Sequence, residues 1–142
     1  MAFKIAKASP SYFPKAKPMK SKGYLAFLHD LPCVVTGKYG VQAAHVSFIN
    51  HDFAHHGRAK TRKASDIFAL PLCPEEHDRQ HRHPEGEQGY WREVGINPHL
   101  LALKIWAEWS QWKDDPEEAI EFATRHCVVA RAQNSTGQRA GM

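Results

Sequence analysis

His77 and His81 stand four residues apart in the segment Leu72-Cys73-Pro74-Glu75-Glu76-His77-Asp78-Arg79-Gln80-His81. On a helix this spacing puts both imidazoles on one face, one turn apart. Two neutral imidazoles so placed can grip a single divalent cation. A third histidine, His45, lies in the apolar stretch Gln42-Ala43-Ala44-His45-Val46. Its imidazole can take a proton from water near neutral pH. Asp66 offers an anion just before the strand that leads into Cys73, either as a third metal ligand or as the group that orients His45. Together these residue types allow metal-assisted hydrolysis.

Each feature also has a plain reading. A histidine pair is often surface decoration, a strand histidine is often a core group satisfied by backbone, and an aspartate before a strand often only forms a turn. Context favours a site, because the pair follows a cysteine at a strand-to-helix turn and a polar loop follows His45. His83 lies two residues beyond His81 and points elsewhere on a helix. Cys33 and Cys73 raise the question of a structural zinc. A closed zinc site commonly uses two C-x2-C knuckles. Here Thr36 and Glu76 occupy the second position of each, so four thiolates are not available and the cysteines are read as buried small apolar groups.

The elements that must position these residues follow from punctuation and periodicity. A short helix is expected from Gly23 to Asp30, ended by Pro32. Cys33-Val34-Val35-Thr36 and Val41 to Phe48 read as two strands of a β-hairpin around Gly37-Lys38-Tyr39-Gly40, with His45 near the end of the second. Residues 49–65 form a long polar loop. Ile67-Phe68-Ala69-Leu70 reads as a short strand. Pro74 fits the first turn of the histidine helix, with Glu75 and Glu76 where the helix dipole favours acids, and Pro84 stops it near Arg82. Gln88 to Glu93 forms a short helix closed by Gly95. Asn97-Pro98 opens an amphipathic helix carrying Trp106, Trp109 and Trp112, whose rings are assigned to packing. Asp115-Pro116-Glu117-Glu118 opens a final helix to about Cys127.

Bulk properties fit this picture. The chain has 142 residues, 42% hydrophobic and 24% charged, which suits one soluble domain with a tail at each end. No apolar run approaches a membrane span, the N-terminal stretch lacks the apolar core of a secretory signal, and three scattered cysteines do not make a disulfide framework. A cytoplasmic protein with reduced thiols is expected. The net charge of +4 is unevenly spread: residues 1–65 hold 11 Lys/Arg and 2 Asp/Glu, whereas residues 66–142 hold 8 and 13. The basic half suits a polyanion, with Lys15, Lys17, Lys20 and Lys22 in an N-terminal arm and Arg58, Lys60, Arg62 and Lys63 in the loop as phosphate contacts. The expected domain organisation is a basic flexible arm over residues 1–22, a folded domain over 23–128, and a disordered tail over 129–142.

The ordered runs Leu31-Pro32-Cys33-Val34-Val35-Thr36-Gly37, Ala43-Ala44-His45, Lys63-Ala64-Ser65-Asp66, Pro71-Leu72-Cys73 with His77 and His81, and Gly95-Ile96-Asn97-Pro98 with Trp106 resemble the HNH (ββα-metal) nuclease superfamily. The chain looks most similar to its phage and prophage branch, the Ref-type recombination nucleases and their domain-of-unknown-function relatives. The similarity spans roughly residues 24 to 109. It implies an α+β fold, with a β-hairpin and a helix clamping one divalent metal and flanking helices that are mainly C-terminal. It also implies hydrolysis of phosphodiester bonds in DNA. His45 would be the general base and His77 and His81 the metal ligands, with Asp66 the nearest polar residue to the family's central Asn position. Ala44 departs from the pattern, because many relatives place Asp or His there as a ligand. The expected cofactor is Mg²⁺, with Mn²⁺ or Zn²⁺ as alternatives. The expected partner is single-stranded, duplex or branched DNA, together with a recombinase. A non-catalytic, metal-stabilised DNA-binding accessory protein is the competing reading. A helical protein-interaction domain using the Trp-rich helix is a third.

Overall fold

In the computed structural model, which describes residues 20–48 and 65–140, three of the five described helices open on a side-chain cap. Helix α1 runs Lys22–Leu28, and the Tyr24 N–H donates to the Ser21 hydroxyl at its N-cap, 3.1 Å away. Helix α2, Pro74–Arg82, starts with proline in its first turn and two acids beside it, and ends ahead of Pro84. Helix α3, Gly86–Val94, is closed by Gly95, whose φ of 72° is left-handed and whose N–H reaches the carbonyls of Trp91 and Arg92. Helix α4, Pro98–Gln111, is capped by Asn97, which accepts the Leu100 N–H at 3.1 Å. Helix α5, Pro116–Ala140, is capped by Asp115, which accepts the Glu118 N–H at 3.2 Å.

Two strands complete the described structure, β1 at Gln42–His45 and β2 at Ala69–Leu72. They pair antiparallel, with Gln42 opposite Leu72 and His45 opposite Ala69. A 3-10 turn at Asp66–Phe68 leads into β2. The fold is therefore α+β and mostly helical, with one antiparallel strand pair among the described residues. Among those residues no helix is long and apolar enough to cross a membrane.

The hairpin expected between Cys33–Thr36 and the strand after Val41 is replaced by a different pairing. The backbone of Cys33 is used up within its own turn: its N–H donates to the Lys38 carbonyl at 2.8 Å, and its carbonyl accepts from the Gly37 N–H at 2.9 Å. Gly37 makes that turn at a φ of 79°. The segment touches β2 through one bond, from the Val34 N–H to the Pro71 carbonyl at 3.1 Å. Pro71 has no N–H to return, so a ladder cannot continue along that edge. The true partner of β1 lies beyond the long loop, and β2 is buried along its whole length.

The final helix also differs from expectation, running to Ala140 rather than stopping near Cys127. No proline interrupts Val128 to Ala140, and Ala130, Arg131, Ala132 and Gln133 are good helix formers. The expected disordered tail is thus largely helix. Most of the expected N-terminal arm and of the loop after β1 lies outside the described residues.

The core gathers Tyr24, Leu28, Leu31, Val34, Leu70, Leu72, Tyr90, Trp91 and Ile105. Trp106, Trp109 and Trp112 pack against it partly buried, as the packing assignment expected. His99 is fully buried against the edges of Phe48 and Phe68, at centroid distances of 4.8 and 5.3 Å. Burial lowers its pKa, and a backbone hydrogen bond to Phe48 offsets this in part. The unfolded chain, with an ordinary histidine near 6.5, therefore binds more protons than the folded chain in the window below that value. Stability should rise with pH through this window and be lost as pH falls through it. Each unit of depression corresponds to about 1.4 kcal/mol. Thermal melts from neutral to mildly acidic pH should show a falling Tm, and His99→Phe should flatten the slope. Parallel slopes would show that His99 is not the group responsible.

Candidate active site

β1, the 3-10 turn before β2, and α2 carry His45, Asp66 and the pair His77 and His81. Val46 extends β1 through a bond from its N–H to the Phe68 carbonyl at 2.8 Å. The next N–H, that of Ser47, donates to the Glu87 carboxylate at 2.8 Å, which ties the chain after His45 to α3. His45 is thereby fixed on both sides.

His45 Nε2 lies 2.7 Å from Asp66 Oδ1. The second oxygen of Asp66 accepts the Ser21 N–H at 2.7 Å. The side chain of Asp66 is 11% exposed and that of His45 26%. A carboxylate with both oxygens engaged acts here as an orienter: it holds the His45 ring by one edge and is itself held by the start of α1. Of the two roles open to Asp66, the geometry matches orienting His45. With Nε2–H donated to the carboxylate, Nδ1 is the nitrogen left to accept a proton. The Asp–His pair resembles the carboxylate–imidazole half of a catalytic triad in its logic.

His77 and His81 face each other from successive turns of α2, with their Nε2 atoms 3.0 Å apart and ring centroids 4.6 Å apart. Two nitrogens at that separation can both reach one ion at ordinary metal–nitrogen lengths of about 2.0–2.1 Å. The pair thus fits a divalent cation in donor type and spacing. Burial lowers the His77 pKa, and the neighbouring His81 and His45 lower it further while Asp78 pulls it up. A neutral ring is the form that ligates. Among the described residues no three His, Cys, Asp or Glu side chains gather closely enough to complete a metal sphere on their own.

His83 turns away from the pair, with Nε2 3.1 Å from Glu93. Cys33 and Cys73 are both buried and lie on either side of Thr36, whose N–H reaches Cys33 Sγ at 3.4 Å and whose hydroxyl lies 3.6 Å from Cys73 Sγ. Burial alone would raise the Cys33 thiol, but hydrogen bonds from Thr36 and nearby backbone bring it below the usual value. Burial raises the Cys73 thiol. Glu76 points elsewhere, accepting from the Tyr90 hydroxyl at 2.8 Å and from Arg79 at 2.7 Å. Hydrogen bonds and packing, rather than four sulfur ligands, hold this corner together.

Lys20 and Lys22 are exposed and flank Ser21, next to the His45–Asp66 pair. Lys15, Lys17, Arg58, Lys60, Arg62 and Lys63 lie outside the described residues. Two contributors escaped the sequence reading. Ser21 acts through its backbone, which no residue type announces beyond its capping role. Gln42 reaches His77 Nδ1 with Oε1 at 2.7 Å, and the only hint was a polar residue heading an otherwise apolar strand.

Residues 1–105 match the family model described as Protein of unknown function (DUF968). No curated protein and no solved structure matches the chain.

Proposed function

The chain belongs to the DUF968 family, whose description assigns no function, and from the site itself we propose that it is a divalent-metal-dependent DNA endonuclease of the HNH type. The observation that carries this reading is the His45–Asp66 pair at 2.7 Å together with two imidazole nitrogens converging at 3.0 Å on α2. In this reading β1, β2 and α2 form a ββα-metal core.

Asp66, anchored by the Ser21 N–H, keeps the proton of His45 on Nε2. His45 Nδ1 then takes a proton from a water molecule as its oxygen attacks the phosphorus, and the bond to the 3′ oxygen breaks. His77 and His81 would hold a Mg²⁺ ion, or Mn²⁺ or Zn²⁺. When bound, such an ion supplies charge stabilisation for the phosphate and the leaving oxygen. Lys20 and Lys22, with the basic residues of the arm and of the loop after β1, contact the backbone without reading sequence. Such a protein works in the cytoplasm, in a phage context that of the host, on DNA undergoing recombination and alongside a recombinase.

The test is incubation of the purified chain with single-stranded, duplex and branched DNA across Mg²⁺, Mn²⁺ and Zn²⁺. Cleavage that appears with a divalent ion and stops on chelation, with no change in the melting temperature, is expected. The competing reading, a DNA-binding accessory protein with a structural metal, predicts no cleavage and a domain that unfolds on chelation.

A further inference from the structure

We infer that Gln42 is a positioning residue that fixes the tautomer and ring orientation of His77, leaving the ring's lone pair on His77 Nε2. The inference deepens the metal reading of His77 and His81 and rests on it for its purpose, though not for its test.

The strand register determines where Gln42 can act. It heads β1 opposite Leu72, which is fully buried and adjoins Cys73, the N-cap of α2. The Gln42 backbone is therefore held one residue pair from the start of the histidine helix. Its side chain spans from the strand to the second turn of α2, where Oε1 meets His77 Nδ1 at 2.7 Å. An amide oxygen only accepts hydrogen bonds. With that oxygen facing the ring, the proton of the neutral His77 ring sits on Nδ1, and Nε2 then carries a lone pair.

The other contact of His77 agrees with this direction. His77 Nε2 faces His81 Nε2 at 3.0 Å, and with a lone pair on His77 the donor is the His81 N–H. Protons thus run in one sense along the chain, from His81 to His77 and from His77 to Gln42. Histidines that ligate metals commonly donate their other N–H to a carboxylate, a carbonyl or water, which selects the tautomer and aims the ring. Gln42 provides such a carbonyl on a rigid strand. A glutamine that served only to tie α2 to β1 would be indifferent to the tautomer it met.

The full-length chain labelled with ¹⁵N, free of metal and at about pH 8 where ordinary imidazoles are neutral, gives the direct readout through long-range ¹H–¹⁵N correlations of His77. The wild type should show the Nδ1–H form. Gln42→Leu should lose that preference, and Gln42→Glu, whose carboxylate still accepts, should keep it. Gln42→Met serves as a second apolar variant should leucine disturb the strand. Mn²⁺ binding, followed by water proton relaxation, should weaken about 10–100-fold in the apolar variants and be retained in Gln42→Glu. A His77 ring that is Nε2-protonated in the wild type, or equally Nδ1-protonated in wild type and Gln42→Leu, overturns the inference. A wild-type chain that binds no Mn²⁺ overturns the metal reading instead, and the tautomer spectra still decide the role of Gln42.

Discussion

Replacing His45 by alanine should lower DNA cleavage about 10²–10⁴-fold, the usual cost of losing a general base, while leaving DNA affinity near that of the wild type. The separation of the two effects follows from position. His45 sits at the end of β1 with its ring held by Asp66, whereas the proposed phosphate contacts come from lysine and arginine side chains that the substitution leaves in place. Salt-dependent binding by gel shift or fluorescence anisotropy should therefore be unchanged. Asp66→Asn should cause a comparable loss with a different signature. The substituted side chain offers one acceptor oxygen, which the Ser21 N–H can claim, and its amide N–H₂ would then face His45. His45 would have to accept at Nε2 and carry its proton on Nδ1, where the base is needed. Raising the pH cannot repair a wrong tautomer, so the loss should persist across the profile. Cleavage by either variant at the wild-type rate would sink the assignment of the pair.

How far the sequence led depends on the range of the interaction concerned. Local signals carried well: Pro74 and Pro84 bracketed α2, Asn97-Pro98 opened α4, and Gly95 closed α3, because each acts within a turn of its own position. The i, i+4 spacing of His77 and His81 needed only a helix to bring the rings together. The strand pairing did not carry. Val34-Val35 has the same β-branched character as a strand, and nothing local reveals that Cys33 spends its hydrogen bonds on Lys38 and Gly37. The actual partner of β1 is β2, separated by a long connection, and the register depends on a buried face shared with α1 and α4. The site shows the same division. His45, Asp66, His77 and His81 could be picked out by residue type, but the Asp66–His45 bond joins positions 21 apart and the Gln42–His77 bond positions 35 apart. Such contacts are decided by register, which residue type does not encode.

Trp91→Ala should produce the largest stability loss of any tryptophan substitution, about 3–5 kcal/mol, read as a fall in the denaturant midpoint at an unchanged m-value. Trp91 is 2% exposed, at the centre of α3, and meets Tyr90 edge-on at a centroid distance of 5.0 Å. Truncation would leave a cavity among groups that have no room to collapse, since Tyr90 is itself fully buried and donates its hydroxyl to Glu76 on α2. A domain of this kind has a total stability of about 5–15 kcal/mol, so the variant should still fold at low temperature but melt far earlier. Trp109→Ala should cost less, because Trp109 is only partly buried, although its ring contacts both Tyr24 and Trp106. The contrast bears on function. Among the described residues the ring of Trp91 pairs with Tyr90 and not with His45, His77 or His81, so below its melting transition Trp91→Ala should cleave DNA at a rate close to the wild type. If it lost cleavage while still folded, or if Trp109→Ala proved the more damaging change, the centre of the core would have to be placed between α1 and α4 instead of beneath α3. The histidine helix would then rest on a different support from the Tyr90–Glu76 contact.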